Sequence, residues 1–355
     1  MNISAQFIIN RGSFCLDINL NINTEGIISI YGASGSGKTT FLRALAGLEV
    51  SDNGYIQIGN QIWQDKNNYI STYKRTVGFV SQESNLFPHL NVKKNIEYGF
   101  KRINNRQKNI SVNQIISLLE IDHLLERNPK TLSGGEKQKV AIAQAIASNP
   151  HLLLLDEPLS ALDKTSKDEI FPYLKSINYN LNIPIVYVTH NRNEIIALAD
   201  IMIFLDRGKI KASGLVKDLF SSLELSLAHE RDAVTIIEAV VIKNDKSYGL
   251  AVLKFKGGRF IINSKPLKIG TRVRLQVFAR DVSITLQSQK NTSILNIFPT
   301  VIDDLYSEDN SLVTLRLMAD RTPILARITR KSVEELNLKP KDKVFAQVKT
   351  VSLLT

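Results

Sequence analysis

Apolar and polar residues alternate along Phe14-Cys15-Leu16-Asp17-Ile18-Asn19-Leu20, with Phe14, Leu16, Ile18 and Leu20 on one side. That period predicts a strand with one buried face, and Phe7-Ile8-Ile9 predicts a short strand before it. Three later runs, Ile27-Ile28-Ser29-Ile30-Tyr31, Leu152-Leu153-Leu154-Leu155 and Ile185-Val186-Tyr187-Val188, are apolar almost throughout, the mark of parallel strands covered on both faces. Thr40 to Leu48, Asn113 to Leu125 and Glu136 to Ser148 are spaced as helices. Gly54 to Gly59 and Thr76 to Gln82 add strands, Ile201 to Ile210 a hairpin, and Lys217 to Ala228 a closing helix. Strands alternating with helices predict an α/β domain with a doubly wound sheet.

From Ala233 the texture changes to strands and turns, at Lys256-Gly257-Gly258 and Asp309-Asn310, with one helical stretch, Ser332 to Leu338. This part reads as all-β. It also repeats itself: Arg272 to Val277 leads to Val282-Ser283, and Lys343 to Val348 leads to Val351-Ser352. Two small OB-like barrels in tandem are expected, giving domains 1–228, 229–290 and 291–355.

The chain has 355 residues, enough for several cores, and no run approaches the roughly eighteen apolar residues of a membrane span. Its N-terminus lacks the basic and apolar regions of an export signal. Cys15 is its one cysteine, which excludes an internal disulfide and reads as a small buried hydrophobe beside Leu16. A cytoplasmic location is expected. The net charge is +11, of which +8 lies from Ser226 onward. Such a surplus suits nucleic acid, an anionic surface or small oxyanions, and does not choose among them.

Chemistry enters at Gly32-Ala33-Ser34-Gly35-Ser36-Gly37-Lys38-Thr39-Thr40, between the first apolar strand and the first helix. Backbone N–H groups of such a loop wrap polyphosphate, and the helix behind it turns its positive end to the phosphates. Lys38 is expected to reach the β- and γ-phosphates and Thr39 to ligate Mg²⁺. Phe14 is the candidate to stack on an adenine ring; its alternative is a core position. Gln82 either ligates Mg²⁺ and orients the attacking water or is a polar strand end. Leu86-Phe87-Pro88-His89-Leu90 reads as an exposed apolar loop and so as a contact site.

Leu132-Ser133-Gly134-Gly135-Glu136 fits a capping box, while its glycines also bare helix N–H groups to an anion. Asp156 and Glu157 close an apolar strand on the ligand rim of the sheet, Asp156 to hold Mg²⁺ and Glu157 to polarise water at the γ-phosphate. His190 closes the next strand on the same rim, within reach of that phosphate.

Together Gly32 to Thr39, Gln82, Leu132 to Glu136, Asp156-Glu157, Ser160-Ala161-Leu162-Asp163 and His190 resemble the ATPase subunits of ABC transporters. The resemblance implies ATP and Mg²⁺, a head-to-tail homodimer in which Ser133 and Gly135 touch the γ-phosphate in trans and Asp163 lines the interface, and a separate membrane permease. It further implies peripheral attachment at the cytoplasmic face of the cell membrane.

Asn291-Thr292-Ser293-Ile294-Leu295-Asn296-Ile297, Leu325 to Ser332 and Ala346 to Ser352 look like the oxyanion-binding barrel of molybdate-import ATPases, and Asn91-Val92-Lys93-Lys94-Asn95 is similar to that subfamily. This implies molybdate or tungstate as cargo and regulatory ligand, an extracytoplasmic oxyanion-binding protein upstream, and Ser293, Arg327 and Lys349 as candidate oxyanion donors. Leu295 stands where the family often has a basic residue, and Thr350 where it has a small one. The alternatives are a barrel that only stabilises the dimer, and import of sulfate, ferric iron or a sugar. A soluble ATPase handling nucleic acid requires aromatic platforms. Aromatic residues are sparse in this part, and Tyr248, Phe255, Phe260, Phe278, Phe298, Tyr306 and Phe345 mostly fall at positions that look like alternating core, so no nucleic-acid partner is expected.

Overall fold

A computed structural model describes residues 2–23, 26–101, 110–307 and 311–354. The chain divides into two compact units, Met1–Gly214 and Leu215–Thr355. The expected boundary at 228 therefore moves forward by one helix.

In the first unit β1 (Asn2–Arg11), β2 (Phe14–Asn23) and β3 (Ile27–Tyr31) lead into α1 (Lys38–Ala46). Then come β4 (Tyr55–Ile58), β5 (Gln61–Gln64) and β6 (Val77–Val80), the helices α2 (Val92–Phe100), α3 (Val112–Leu119) and α4 (Gly134–Ala147), and β7 (Leu152–Asp156). The unit closes with α5 (Lys164–Leu181), β8 (Ile185–Thr189), α6 (Arg192–Leu198), β9 (Ile201–Asp206) and β10 (Lys209–Leu215).

The strands form one ten-stranded sheet in the order β5-β4-β1-β2-β10-β9-β3-β8-β7-β6. β3, β8, β7 and β6 run parallel, with Tyr31 opposite Thr189 and Asp156 opposite Val188. Their carboxyl ends therefore open on one rim, where ligands of such sheets bind. β7 and β8 are buried at every residue, and separate apolar cores cover the two faces, as unbroken apolar strands require.

Several expectations change in detail. The helix foreseen over Asn113 to Leu125 is α3 followed by a single 3₁₀ turn at Asp122–Leu124, because Glu120 adopts a left-handed φ of 53°. Cys15 is exposed, not buried; alternation along β2 buries Leu16 and turns its neighbour outward. Gln82 lies exposed beyond the end of β6 rather than closing it. In the loop that follows, Phe87 is half-buried with its ring 4.5 Å from that of Tyr98, so less apolar surface is open than expected.

The second unit opens with α7 (Val216–Phe220), a short helix that stops well before the expected Ala228, where a 3₁₀ turn, Ser226–Ala228, follows. Val216 and Phe220 are buried, and Lys217 bonds Glu238. Next are β11 (Val234–Asp245), β12 (Leu250–Phe255), β13 (Gly258–Asn263), β14 (Arg272–Phe278), β15 (Val282–Thr285) and β16 (Asn296–Ser307). β17 (Leu312–Ala319), β18 (Thr322–Thr329), α8 (Arg330–Glu335), β19 (Lys343–Val348) and β20 (Ser352–Leu354) complete it. The turn expected at Asp309-Asn310 lies outside the described residues.

Two five-stranded sheets result, β13-β12-β11-β14-β20 and β15-β19-β16-β17-β18. They carry five strands each, the number of the small barrels expected, but neither is built from one continuous stretch of chain. After β14 the chain crosses to the second sheet, where β15 pairs β19, and after β19 it returns so that β20 pairs β14. The repeat marks two equivalent crossings, and the sheets exchange closing strands.

One apolar core runs through both sheets. Phe255, Phe260 and Phe298 meet at its centre with ring centroids 4.7, 4.8 and 5.2 Å apart, each such pair worth about 0.5–1.5 kcal/mol beyond its buried area. The Asn296 amide bonds the N–H and C=O of Ile261, standing in for a strand partner between the sheets.

Candidate nucleotide-binding site

The loop between β3 and α1 folds tightly, with Ser36 N–H donating to the Ala33 carbonyl. Gly37 has φ 101°, and a Cβ there would lie 2.9 Å from both Phe14 Cζ and Leu16 Cδ1, so only glycine fits. Phe14 is thus half-buried with its ring edge against the loop. The Ser36 hydroxyl is buried and has no partner among the described residues.

Lys38 is buried, its ammonium donating to the carbonyls of Gly32 and Ala33 at 3.0 Å each. Burial pushes its pKa down, opposed by the charges of Glu157 and Asp156. Thr39 Oγ1 donates to Asp156 Oδ1 at 3.0 Å. Burial lifts the Asp156 carboxyl above the ordinary range, against the pull of the Thr39 hydrogen bond. Thr40, next on the helix, is buried.

Glu157 takes a left-handed φ of 45°, uncommon for a residue with a side chain. That backbone turn sets its carboxylate 3.9 Å from Lys38 Nζ and 3.1 Å from His190 Nδ1. Gln82 Nε2 donates to Ser160 Oγ at 3.4 Å. The sheet therefore brings Lys38, Thr39, Asp156, Glu157 and His190 to one place, and Gln82 reaches the segment that follows Glu157.

The other predicted residues lie elsewhere on the unit. Ser133 caps α4 in a complete capping box with Glu136, and its N–H holds the Glu136 carboxyl below its usual range. Gly135 follows in the first turn. Asp163 caps α5, accepting from the N–H and hydroxyl of Ser166, which keeps its carboxyl low as well.

In the second unit Ser293 and Lys349 flank the paired ends of β16 and β19, where Asn296 faces Val348. Arg327 stands on β18, opposite Thr314 and two strands away from β16. Leu295 is well exposed beside Ser293.

Sequence reasoning missed several supports. Gly208, at the β9–β10 turn, donates to the Ser36 carbonyl and accepts from Asp17 N–H, and a Cβ there would lie 2.0 Å from the Cys15 carbonyl. Asn95 is fully buried, accepting from Phe87 N–H and donating to the carbonyls of Phe87, Leu90 and Asn91. Buried Arg75 caps α1 through the carbonyls of Ala44 and Leu45. A glycine in a hairpin turn was the available signal for Gly208 and the phrase from Asn91 to Asn95 for Asn95, though not for its burial; nothing local marked Arg75.

A family model described as ABC transporter matches residues 15–160, and one described as TOBE domain matches residues 292–354. A molybdenum import ATP-binding protein of Azotobacter vinelandii is 42% identical over 355 residues, 99% of this chain and 98% of that protein. This chain belongs to the family of molybdenum import ATP-binding proteins. Another member, from Pseudomonas syringae pv. tomato, is 44% identical over 96% of both chains. Among solved structures, a dimeric bacterial ABC transporter cassette is 28% identical with a TM-score of 0.51, covering 60% of this chain and 98% of that one.

Membership bears out the expected fold class: a phosphate-loop ATPase unit, which binds ATP in this family, followed by an all-β unit. No helix among the described residues is long and apolar enough to cross a membrane.

Proposed function

We propose that the chain is the ATP-hydrolysing subunit of a molybdate importer, working as a homodimer on a separate membrane permease at the cytoplasmic face. The observation that carries the reading is the convergence of Lys38, Thr39, Asp156, Glu157 and His190 on one rim, on a chain that resembles molybdenum import proteins along its whole length.

Lys38 binds the phosphates as a point charge, and its loop wraps them with N–H groups. Glu157, turned by its φ and held by His190, accepts a proton from the water that attacks the γ-phosphate. Thr39 and Asp156 are hard oxygen donors already side by side, and the raised Asp156 pKa marks a buried carboxylate short of positive charge. They fit Mg²⁺, with Gln82 as the third donor; the ion would neutralise charge on the phosphates. Ser133 and Gly135 complete the site from the partner subunit, Asp163 lines that interface, and Phe14 takes the adenine. The loop from Leu86 to Leu90 faces the permease, fed in turn by an extracytoplasmic oxyanion-binding protein.

Molybdate or tungstate also binds the second unit, with Ser293, Arg327 and Lys349 as donors. Calorimetric titration of the full chain with molybdate, tungstate and sulfate tests this. Saturable binding of the first two and none of sulfate is expected. A folded, dimeric protein that binds none of them reduces the β unit to scaffold. Absence of Mg²⁺-dependent ATP hydrolysis overturns the ATPase reading.

A further inference from the structure

His190 is exposed, its side chain 55% accessible, yet its neighbours are held by a buried carboxylate that no proposed step uses. Glu194 on α6 is 3% exposed. It accepts from Lys167 Nζ at 2.9 Å, Tyr187 Oη at 2.8 Å and Thr189 Oγ1 at 2.7 Å. The Thr189 hydroxyl also accepts from Asn191 N–H at 3.0 Å. One hydroxyl, anchored to Glu194, thus brackets His190 from both sides.

The third donor comes from another element. Lys167 lies one turn into α5, its N–H bonded to the carbonyl of Asp163, the cap of that helix. Removing one partner of a buried ion pair leaves the other charge buried and uncompensated, so the two elements that carry them resist separation. Here it joins the strand end that carries His190 to the helix that Asp163 opens.

We propose that Glu194 is a positioning residue that locks His190 to helix α5, so that His190 and Asp163 shift as one body when the dimer opens and closes. The proposal rests on the reading above, in which His190 holds Glu157 at the γ-phosphate and Asp163 lines the dimer interface. Tyr187, whose phenol burial and the Glu194 charge push well above its usual pKa, stays a donor throughout.

The test is a cycle of Glu194→Gln and His190→Ala in the full-length protein. Glu194→Gln keeps the shape and removes the charge that holds Lys167. Its kcat is expected to fall about tenfold with the KM for ATP within about twofold, the loss of an effect made only during turnover. In the His190→Ala background the same change is expected to cost less than about twofold, because the group it positions is gone. A full further tenfold loss means that Glu194 acts elsewhere and overturns the proposal.

Thr189→Val is expected to reproduce the pattern more gently and Thr189→Ser to restore activity, which covers a Glu194 variant that fails to fold. Hydrogen exchange separates the two readings. Glu194→Gln is expected to speed exchange both at 189–191 and at 163–167, whatever the hydrolysis rate, and unchanged exchange in either segment overturns the link. If exchange rises in both while His190→Ala hydrolyses ATP like the wild type, the role given to His190 falls with the positioning role, and the mechanical link alone survives.

Discussion

At the scale of single residues, the phosphate loop rests on two charges that folding disfavours. Burial holds Lys38 below its ordinary pKa and Asp156 above its own. For Asp156 the folded pKa exceeds the unfolded one, so its contribution to stability is fully present below the unfolded value and lost as pH rises through the folded value. At neutral pH the ionised carboxylate is a net cost. Asp156→Asn keeps an acceptor for Thr39 and removes that cost. We expect the nucleotide-free protein to melt about 2–4 °C higher, what ~1 kcal/mol is worth in a domain of this size, and to lose Mg²⁺-dependent hydrolysis. Calorimetry beside a phosphate-release assay checks both.

Glu157→Gln is expected to keep ATP affinity within about threefold while kcat drops at least ~10²-fold, the range of general base catalysis. Hydrolysis at the wild-type rate would place the base elsewhere. The residue types at these positions were legible from the sequence, because a phosphate site needs glycines, a lysine and paired acids at known spacing. The left-handed backbone of Glu157 was not. Its cause is the fit between β7 and the turn that follows, where Glu157 N–H bonds the Val188 carbonyl of β8.

At the scale of elements, one amide gathers the last turn of the loop between β6 and α2. Asn95 forms four hydrogen bonds to the backbone of Phe87, Leu90 and Asn91. Asn95→Ala takes the partner from the Phe87 N–H and the Leu90 carbonyl, while the carbonyls of Phe87 and Asn91 keep the N–H groups of Leu90 and Asn95, and about 1–3 kcal/mol of stability should go with the loss. Urea unfolding reads that loss.

Helix α4 begins with a capping box that ties up the Ser133 hydroxyl. Ser133→Arg should cost about 1 kcal/mol through the lost cap. If the partner's helix completes the site, it should also block dimer closure while ATP still binds the monomer; light scattering with ATP and the Glu157→Gln variant separates these effects. Helical spacing showed where α4 lies, and the capping box of its first turn was readable as well. The break between α3 and the 3₁₀ turn was not, since it depends on Glu120 accepting a left-handed conformation. The burial of Asn95 was equally hidden, for it answers to carbonyls in a loop with no pattern of its own.

For the whole molecule, the repeat in the β unit was visible as paired phrases, Arg272 to Ser283 and Lys343 to Ser352. Which strands those phrases would join was not, because pairing partners far apart in sequence leave no local trace. The strands on either side of both crossings share a single core that holds Val282, Ile284, Val344 and Ala346 together with Leu275 and Val277. Removing Ser352–Thr355 strips β14 of its outer partner. The β unit should then melt about 4 °C lower or more, roughly 1–2 kcal/mol for its size, with ATP affinity in the first unit changed less than about twofold. Two-probe thermal melts test this.

The exchange of strands also sets a timetable for biosynthesis. The ATPase unit and most of the first β sheet leave the ribosome early, but β20 is translated roughly 70 residues after β14, some 4–15 s later at ordinary rates. During that interval β14 presents an open hydrogen-bonding edge to whatever nascent chain is near, and two such chains emerging from one polysome could close each other's sheets instead of their own.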